Sequence, residues 1–211
     1  MNLFSPDSRL MKLLTLLGQL MVLNILWLLC CLPVLTIGPS TTALYVLLRR
    51  IIRGEPPRLL TDFFRAFREN FLKGFLLNLI LLLPMLQMLY FFFMMRTGQI
   101  VSGGPLRVFS WIAIVIIGMV WSYVWPLNAW FENSVSQTLK NALLLPVSSP
   151  IAGLLVTGLN LCPLIVLYMS LEAYFGLMYF WLTLGGALIA FFNTRLLLAQ
   201  FRPFMPQDEE Q

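Results

Sequence analysis

The chain contains no histidine, and only 11% of its 211 residues are charged. A soluble domain carries roughly 25% charged residues. Without histidine the commonest general base and the commonest zinc ligand are both missing. There is also no glycine-rich phosphate loop, no Cys-x-x-Cys and no Ser-x-x-Lys. The apolar runs hold no paired carboxylates of the kind acid–base chemistry or a proton path would use. We therefore expect no catalytic residues, no metal and no cofactor, and we read the chain as not an enzyme. Cysteine is scarce too: Cys30, Cys31 and Cys162 lie inside apolar stretches and read as small hydrophobes.

What is abundant is apolar surface, at 59% of residues. A water-soluble fold of this length has no interior large enough for it, so lipid is the expected solvent. The net charge of +5 does not point to nucleic acid, because the basic residues sit between apolar runs rather than along one polar face. They read instead as topology signals.

Five uncharged runs are long enough to cross a bilayer as helices: 13–35, 74–95, 108–131, 142–171 and 173–194. A shorter segment, 36–52, would make a sixth crossing if Arg49 and Arg50 snorkel to the surface. The first run lacks the short apolar core and small-residue cleavage site of a signal peptide and is kept as a span. With six spans and a cytoplasmic N-terminus, Lys and Arg divide 12 inside to 2 outside, the outer pair being Arg96 and Arg107. With five spans and an outside N-terminus the division falls to 10 against 4. The positive-inside rule thus favours an all-α polytopic bundle of about six spans, one membrane domain over 1–211, with both termini cytoplasmic.

The main polar stretch opens with Gly54-Glu55-Pro56-Pro57 and continues as 59–73, where Leu59, Leu60, Phe63, Phe64, Phe67 and Phe71 recur at steps of three and four. This reads as an amphipathic helix in the cytoplasmic interface. Its function is either to anchor the loop or, through Phe63, Phe64 and Phe67, to dock a partner. A second stretch resembles it: 64–77 laid on 131–144 gives five identities in 14 positions, suggesting parallel repeats of span, surface helix and span.

Several residues carry two readings. Glu172 is either a buried relay acid or a residue of a solvated turn between the last two runs, and the turn is preferred. Asn24, Asn78, Gln87, Asn128, Asn160 and Asn193 either line a solute path or join helices by hydrogen bonds, and the second is the commoner use. Prolines 84, 126, 146, 150 and 163 interrupt the long segments, as in transporters with broken helices and equally in ordinary kinked ones. In 32–48, LPVLTIGPSTTALYVLL, we expect Gly38 and Pro39 to turn the chain and Ser40, Thr41 and Thr42 to cap the helix that follows. A helix start at that depth could also hold an anion.

The stretch TIGPSTTALY, behind a first span that follows FSPDSRLMKLL, together with FFRAFRENFLKGF and SQTLKNALLL, resembles the YesL-like family of small bacterial membrane proteins. The resemblance covers nearly the whole chain and carries over no active site. It implies a bacterial plasma membrane and a gene neighbourhood of ABC-type carbohydrate uptake. From it we expect an accessory or scaffold protein bound to a permease subunit and the bilayer, with a small-solute transporter or channel as the alternative and an enzyme using Glu132 or Glu172 as a weaker third.

Overall fold

The computed structural model describes residues 8–55, 57–98 and 104–201, without the side chains of Phe92, Met95, Pro105, Leu106, Arg107 and Ser110. Arg202 of the charge division and the first residues of FSPDSRLMKLL thus lie outside the described residues, and of Arg107 only the backbone is described. The rest is helical, with no strand among the described residues. The helices are α1 (Arg9–Cys31), α2 (Ile37–Ile52), α3 (Leu59–Glu69), α4 (Phe71–Arg96), α5 (Pro105–Trp130), α6 (Val135–Ser148), α7 (Pro150–Met169), α8 (Leu171–Gly176) and α9 (Met178–Phe201). Five of them, α1, α4, α5, α7 and α9, are long and apolar enough to cross a membrane.

Many uncharged polar groups lie inside with the apolar core, and many large apolar side chains lie outside. Asn24, Ser40, Thr42, Asn78, Ser122, Asn128, Thr157, Asn193 and Thr194 are buried, while Leu83, Ile116, Leu154 and Ile165 are exposed. In water that pattern would be unstable. In lipid it is the favoured one, because hydrocarbon gives apolar side chains no reason to hide and leaves unpaired polar groups costly. The chain is a polytopic α-helical membrane protein.

Contacts between helices fix their directions. Trp27 Nε1 donates to Thr41 Oγ1 (3.0 Å) and Ser40 Oγ donates to Trp27 O (2.9 Å), so α1 and α2 form an antiparallel hairpin. Gly38 meets Gly74, and Asn78 Nδ2 donates to Val34 O (3.0 Å) and Leu35 O (3.3 Å), which sets α4 antiparallel to α2. Asn128 Nδ2 reaches Thr42 Oγ1 (3.0 Å) and Trp130 Nε1 reaches Tyr45 O (3.2 Å), so α5 runs parallel to α2. Trp111 packs on Tyr168 and Gly118 faces Leu161, which turns α7 back along α5. Phe201, at the end of α9, packs on Trp130 and Phe131. The start of α1 and the ends of α2, α5 and α9 therefore share one end of the bundle with α3. Most of the described Lys and Arg residues lie there, and we call it the basic end. At the far end, Arg96 donates to the carbonyls of Leu167 and Tyr168.

The short helix α2 does not match the others in reach. Its 16 residues cover about 24 Å, against about 30 Å of hydrocarbon. The hairpin tip stops at Asn78, and the 18 residues from there to Arg96 place it about 27 Å short of the end of α4. The hairpin returns the chain to the end at which α1 begins.

Three segments differ in their limits from the sequence reading. The run 142–171 is split at Ser149, because Pro150 pushes the residue before it out of helical geometry, here φ −137° and ψ 77°. The run 173–194 becomes α8 and α9, with a π turn at Trp181–Gly185 inside α9. The interfacial segment 59–73 ends at Asn70, whose Nδ2 turns back to Ala66 O (2.9 Å), and residues 71–73 already belong to α4.

The order apolar helix, short helix, break, long apolar helix recurs as α2–α3–α4 and as α5–α6–α7, with breaks at Asn70 and Ser149. The match of 64–77 to 131–144 is nevertheless in the wrong register, because it lays the Asn70 break on Gln137, inside α6. Ser134 starts α6 through a capping box with Gln137. Ser134→Ala is expected to cost about 1 kcal/mol, read as a lower thermal midpoint of the purified protein.

Candidate functional site at the basic end

The hairpin residues singled out in the sequence are structural. The turn is Leu32 to Thr36, closed by a tight helical turn at Val34–Thr36, and Ile37 already begins α2. Gly38 and Pro39 thus lie in the first turn of α2, where proline's missing N–H leaves nothing unpaired. The hydroxyls donate to carbonyls instead of capping N–H groups: Ser40 to Trp27, Thr41 to Ile37 (2.7 Å) and Thr42 to Gly38 (2.9 Å). Thr41 and Thr42 can then accept from Trp27 and Asn128, joining three helices. Gly38 is required by packing: a β-carbon there would lie 2.3 Å from the Gly74 carbonyl oxygen.

The amides do not converge. Asn24 binds the π turn of α9, Asn78 the hairpin tip, Asn128 Thr42, and Asn160 the Val156 carbonyl of its own helix (3.0 Å). Gln87 is exposed, and Asn193 is buried with no hydrogen bond to either side-chain atom. Glu172 is exposed in the first turn of α8, capped by Ser170, and lies at the opposite end from Glu132. No three metal-ligating side chains cluster among the described residues. The three cysteines are free thiols.

The phenylalanines of α3 divide. Phe63 is 0% exposed and belongs to the chain's own core, so it cannot meet a partner. Phe67 packs against that core and Phe71, while Phe64 is 50% exposed. The physical reason is that α3 lays its apolar stripe on the α1–α2 hairpin rather than on lipid.

Around α3 the polar surface is indented. One cleft, about 850 Å³, is lined by Glu69, Asn70 and Lys73 from the α3–α4 break and by residues 128–134 from the end of α5 and the turn before α6. Asn128 and Trp130 are buried, whereas Glu69 and Glu132 are exposed. Lys73 interacts electrostatically with Glu132 across it. A second hollow holds Phe64 with Thr61, Arg65, Arg68 and Glu69. A third is lined by Arg50, Arg58, Thr61, Asp62 and Arg65. Asp62 loses some hydration there, but the Arg58 N–H and the Arg50 and Arg65 guanidinium groups more than offset this and hold its carboxyl below the usual range. Both walls fall largely in stretches the sequence singled out, 59–73 and 131–144, and Asn128 and Glu132 were named individually; that they meet was not legible, because the walls are about 60 residues apart in the chain.

Comparison with known proteins bears on one part of this architecture. Residues 20–102 match the family described as Protein of unknown function, DUF624. The match runs from the middle of α1 through α4, and so holds the hairpin, α3 and one wall of the cleft. No curated protein and no solved structure matches the chain.

Proposed function

We propose that this chain is a non-catalytic accessory protein of the bacterial plasma membrane that holds a membrane partner at its basic end, in the cytoplasm. The observation that carries this reading is the cleft between the α3–α4 break and the α5–α6 turn. It is large, open and of mixed charge, and the neighbouring hollow, which shares Glu69 with it, holds the exposed Phe64, as a docking surface for a polar segment of a partner requires. Twelve of the fourteen basic residues would lie inside in this orientation, one of them, Arg202, outside the described set. The partner class, a subunit of an ABC-type carbohydrate permease, comes from the family resemblance of the sequence.

Transport by the chain itself is the second reading. It is favoured by a hollow of about 200 Å³ between α4, α5 and α7 that includes Ser122 and Asn160. Against it, the buried amides are committed to separate helix contacts rather than to one path.

The test is to purify the tagged protein from its native membrane in mild detergent at several salt concentrations and identify what accompanies it. Stoichiometric recovery of a permease subunit is expected, reduced at least tenfold by Phe64→Ala combined with Glu132→Lys. Recovery of the protein alone, with solute flux in reconstituted vesicles, would overturn the docking reading in favour of transport.

A further inference from the structure

The arginine-lined hollow is a separate site with its own chemistry. Arg50 stands in the last turn of α2, and Arg58, Thr61, Asp62 and Arg65 lie on one face of α3 at steps of three and four. Together they enclose about 340 Å³. The one carboxylate among them is already engaged: Asp62 Oδ2 accepts from Arg50 Nη1 (2.8 Å) and from the Arg58 backbone N–H (2.9 Å). Arg50 Nε is drawn to Glu55 Oε2 (3.3 Å). These bonds fix Arg50 and the first turn of α3. Three guanidinium groups then face Asp62, with Glu55 paired to Arg50 at the rim, which leaves the cluster with a surplus of one positive charge and Arg58 and Arg65 as its less engaged cations.

Guanidinium forks match the oxygens of phosphate in pairs, and a hollow with such a surplus is built for an anion of that shape. Position selects the source. Leu60 and Phe64 are exposed on another face of α3, at 58% and 50%, and an exposed apolar pair on an amphipathic helix enters the lipid surface, which brings the headgroup level to the pocket. A soluble phosphate gains nothing from that depth, whereas a lipid headgroup is held there by its acyl chains. Basic pockets beside membrane helices are general sites for anionic headgroups. We propose that the pocket of Arg50, Arg58 and Arg65 binds the phosphate of one anionic phospholipid, locking α3 to the membrane surface and to the end of α2.

The full chain in nanodiscs of zwitterionic lipid, titrated with headgroup-labelled phosphatidylglycerol, tests this. Saturable binding of one lipid per chain is expected, weakened at least tenfold in R58Q/R65Q. The control R68Q/K140Q removes the same charge outside the pocket and is expected to bind like the parent. If R58Q/R65Q does not fold, R58K/R65K keeps the charge without the fork and is expected to lose most of the affinity. Equal losses in the pocket and control variants would overturn the site in favour of diffuse attraction. Equal occupancy by inorganic phosphate, measured by competition, would overturn its assignment to a lipid. Displacement of the lipid by a co-purified acidic protein would assign the pocket to that partner instead.

Discussion

Gly38→Ala is expected to lower the stability of the folded bundle by about 3 kcal/mol, near the upper range for overpacking a core. The added β-carbon would sit 2.3 Å from the Gly74 carbonyl oxygen, 2.8 Å from Trp125 Cζ3 and 2.9 Å from Asn78 Cβ. Backbone cannot swing away as a flexible side chain can, so α2 and α4 must separate. That movement also strains the Asn78 bonds to the hairpin tip and the Asn128 bond to Thr42. Gly74→Ala is expected to behave alike from the other side, since its β-carbon would meet Pro39 N at 2.8 Å. Gly18, in the middle of α1, has nothing within 4 Å of such an atom, and Gly18→Ala is the neutral control. Thermal unfolding of the purified protein in detergent measures all three. An unchanged midpoint for Gly38→Ala would mean that the two backbones do not touch as described.

The second large effect is expected at Asn24. A π turn closes its hydrogen bonds one residue later than an α-helix does, which leaves carbonyls without partners, and in a membrane water cannot supply them. Asn24 supplies them: its Nδ2 donates to Trp181 O (3.2 Å) and Leu182 O (2.8 Å), and its Oδ1 accepts from Ala187 N (2.8 Å). The residue is fully buried. Asn24→Leu removes three bonds, each worth about 0.6 to 1.7 kcal/mol between membrane helices, so a loss of roughly 2 to 5 kcal/mol is expected. The local signature is faster hydrogen exchange at the Ala187 amide. Protection of that amide equal to the parent's in Asn24→Leu would show that the π turn stands without the asparagine. Because α1 meets α9 at this turn, the same change is expected to loosen the hairpin from the rest of the bundle.

Most of the secondary structure was legible in the chain, and the limits of its reading have physical causes. Uncharged runs long enough for a bilayer announce helices whatever packs against them, which is why α1, α4, α5, α7 and α9 could be placed. Their ends were harder. Ser149 and Asn70 interrupt the helical path without interrupting the apolar pattern, so 142–171 read as one run and 59–73 as one helix. The stripe of α3 was visible as a period, but a period does not say whether lipid, a partner or the chain's own hairpin covers it. Phe63 proved to face the hairpin and Phe64 to remain outside.

The hydroxyl-rich hairpin shows the same division. Ser40, Thr41 and Thr42 looked like caps because their chemistry suits capping, yet in α2 they donate backwards to carbonyls and hold Trp27 and Asn128. One local sequence permits both arrangements, and the neighbouring helices select between them.

By itself, then, the sequence determined the solvent and the secondary structure: a chain 59% hydrophobic and 11% charged must place its helices in lipid. Only the tertiary structure decided which polar groups meet. The cleft joins Lys73 to Glu132, the arginine pocket joins Arg50 to Arg58 and Arg65, and Asn24 reaches a turn more than 150 residues away. Composition and periodicity act residue by residue along one helix. The meeting of distant side chains depends on how helices cross, and that is set by close approaches such as Gly38 on Gly74, which no local pattern encodes.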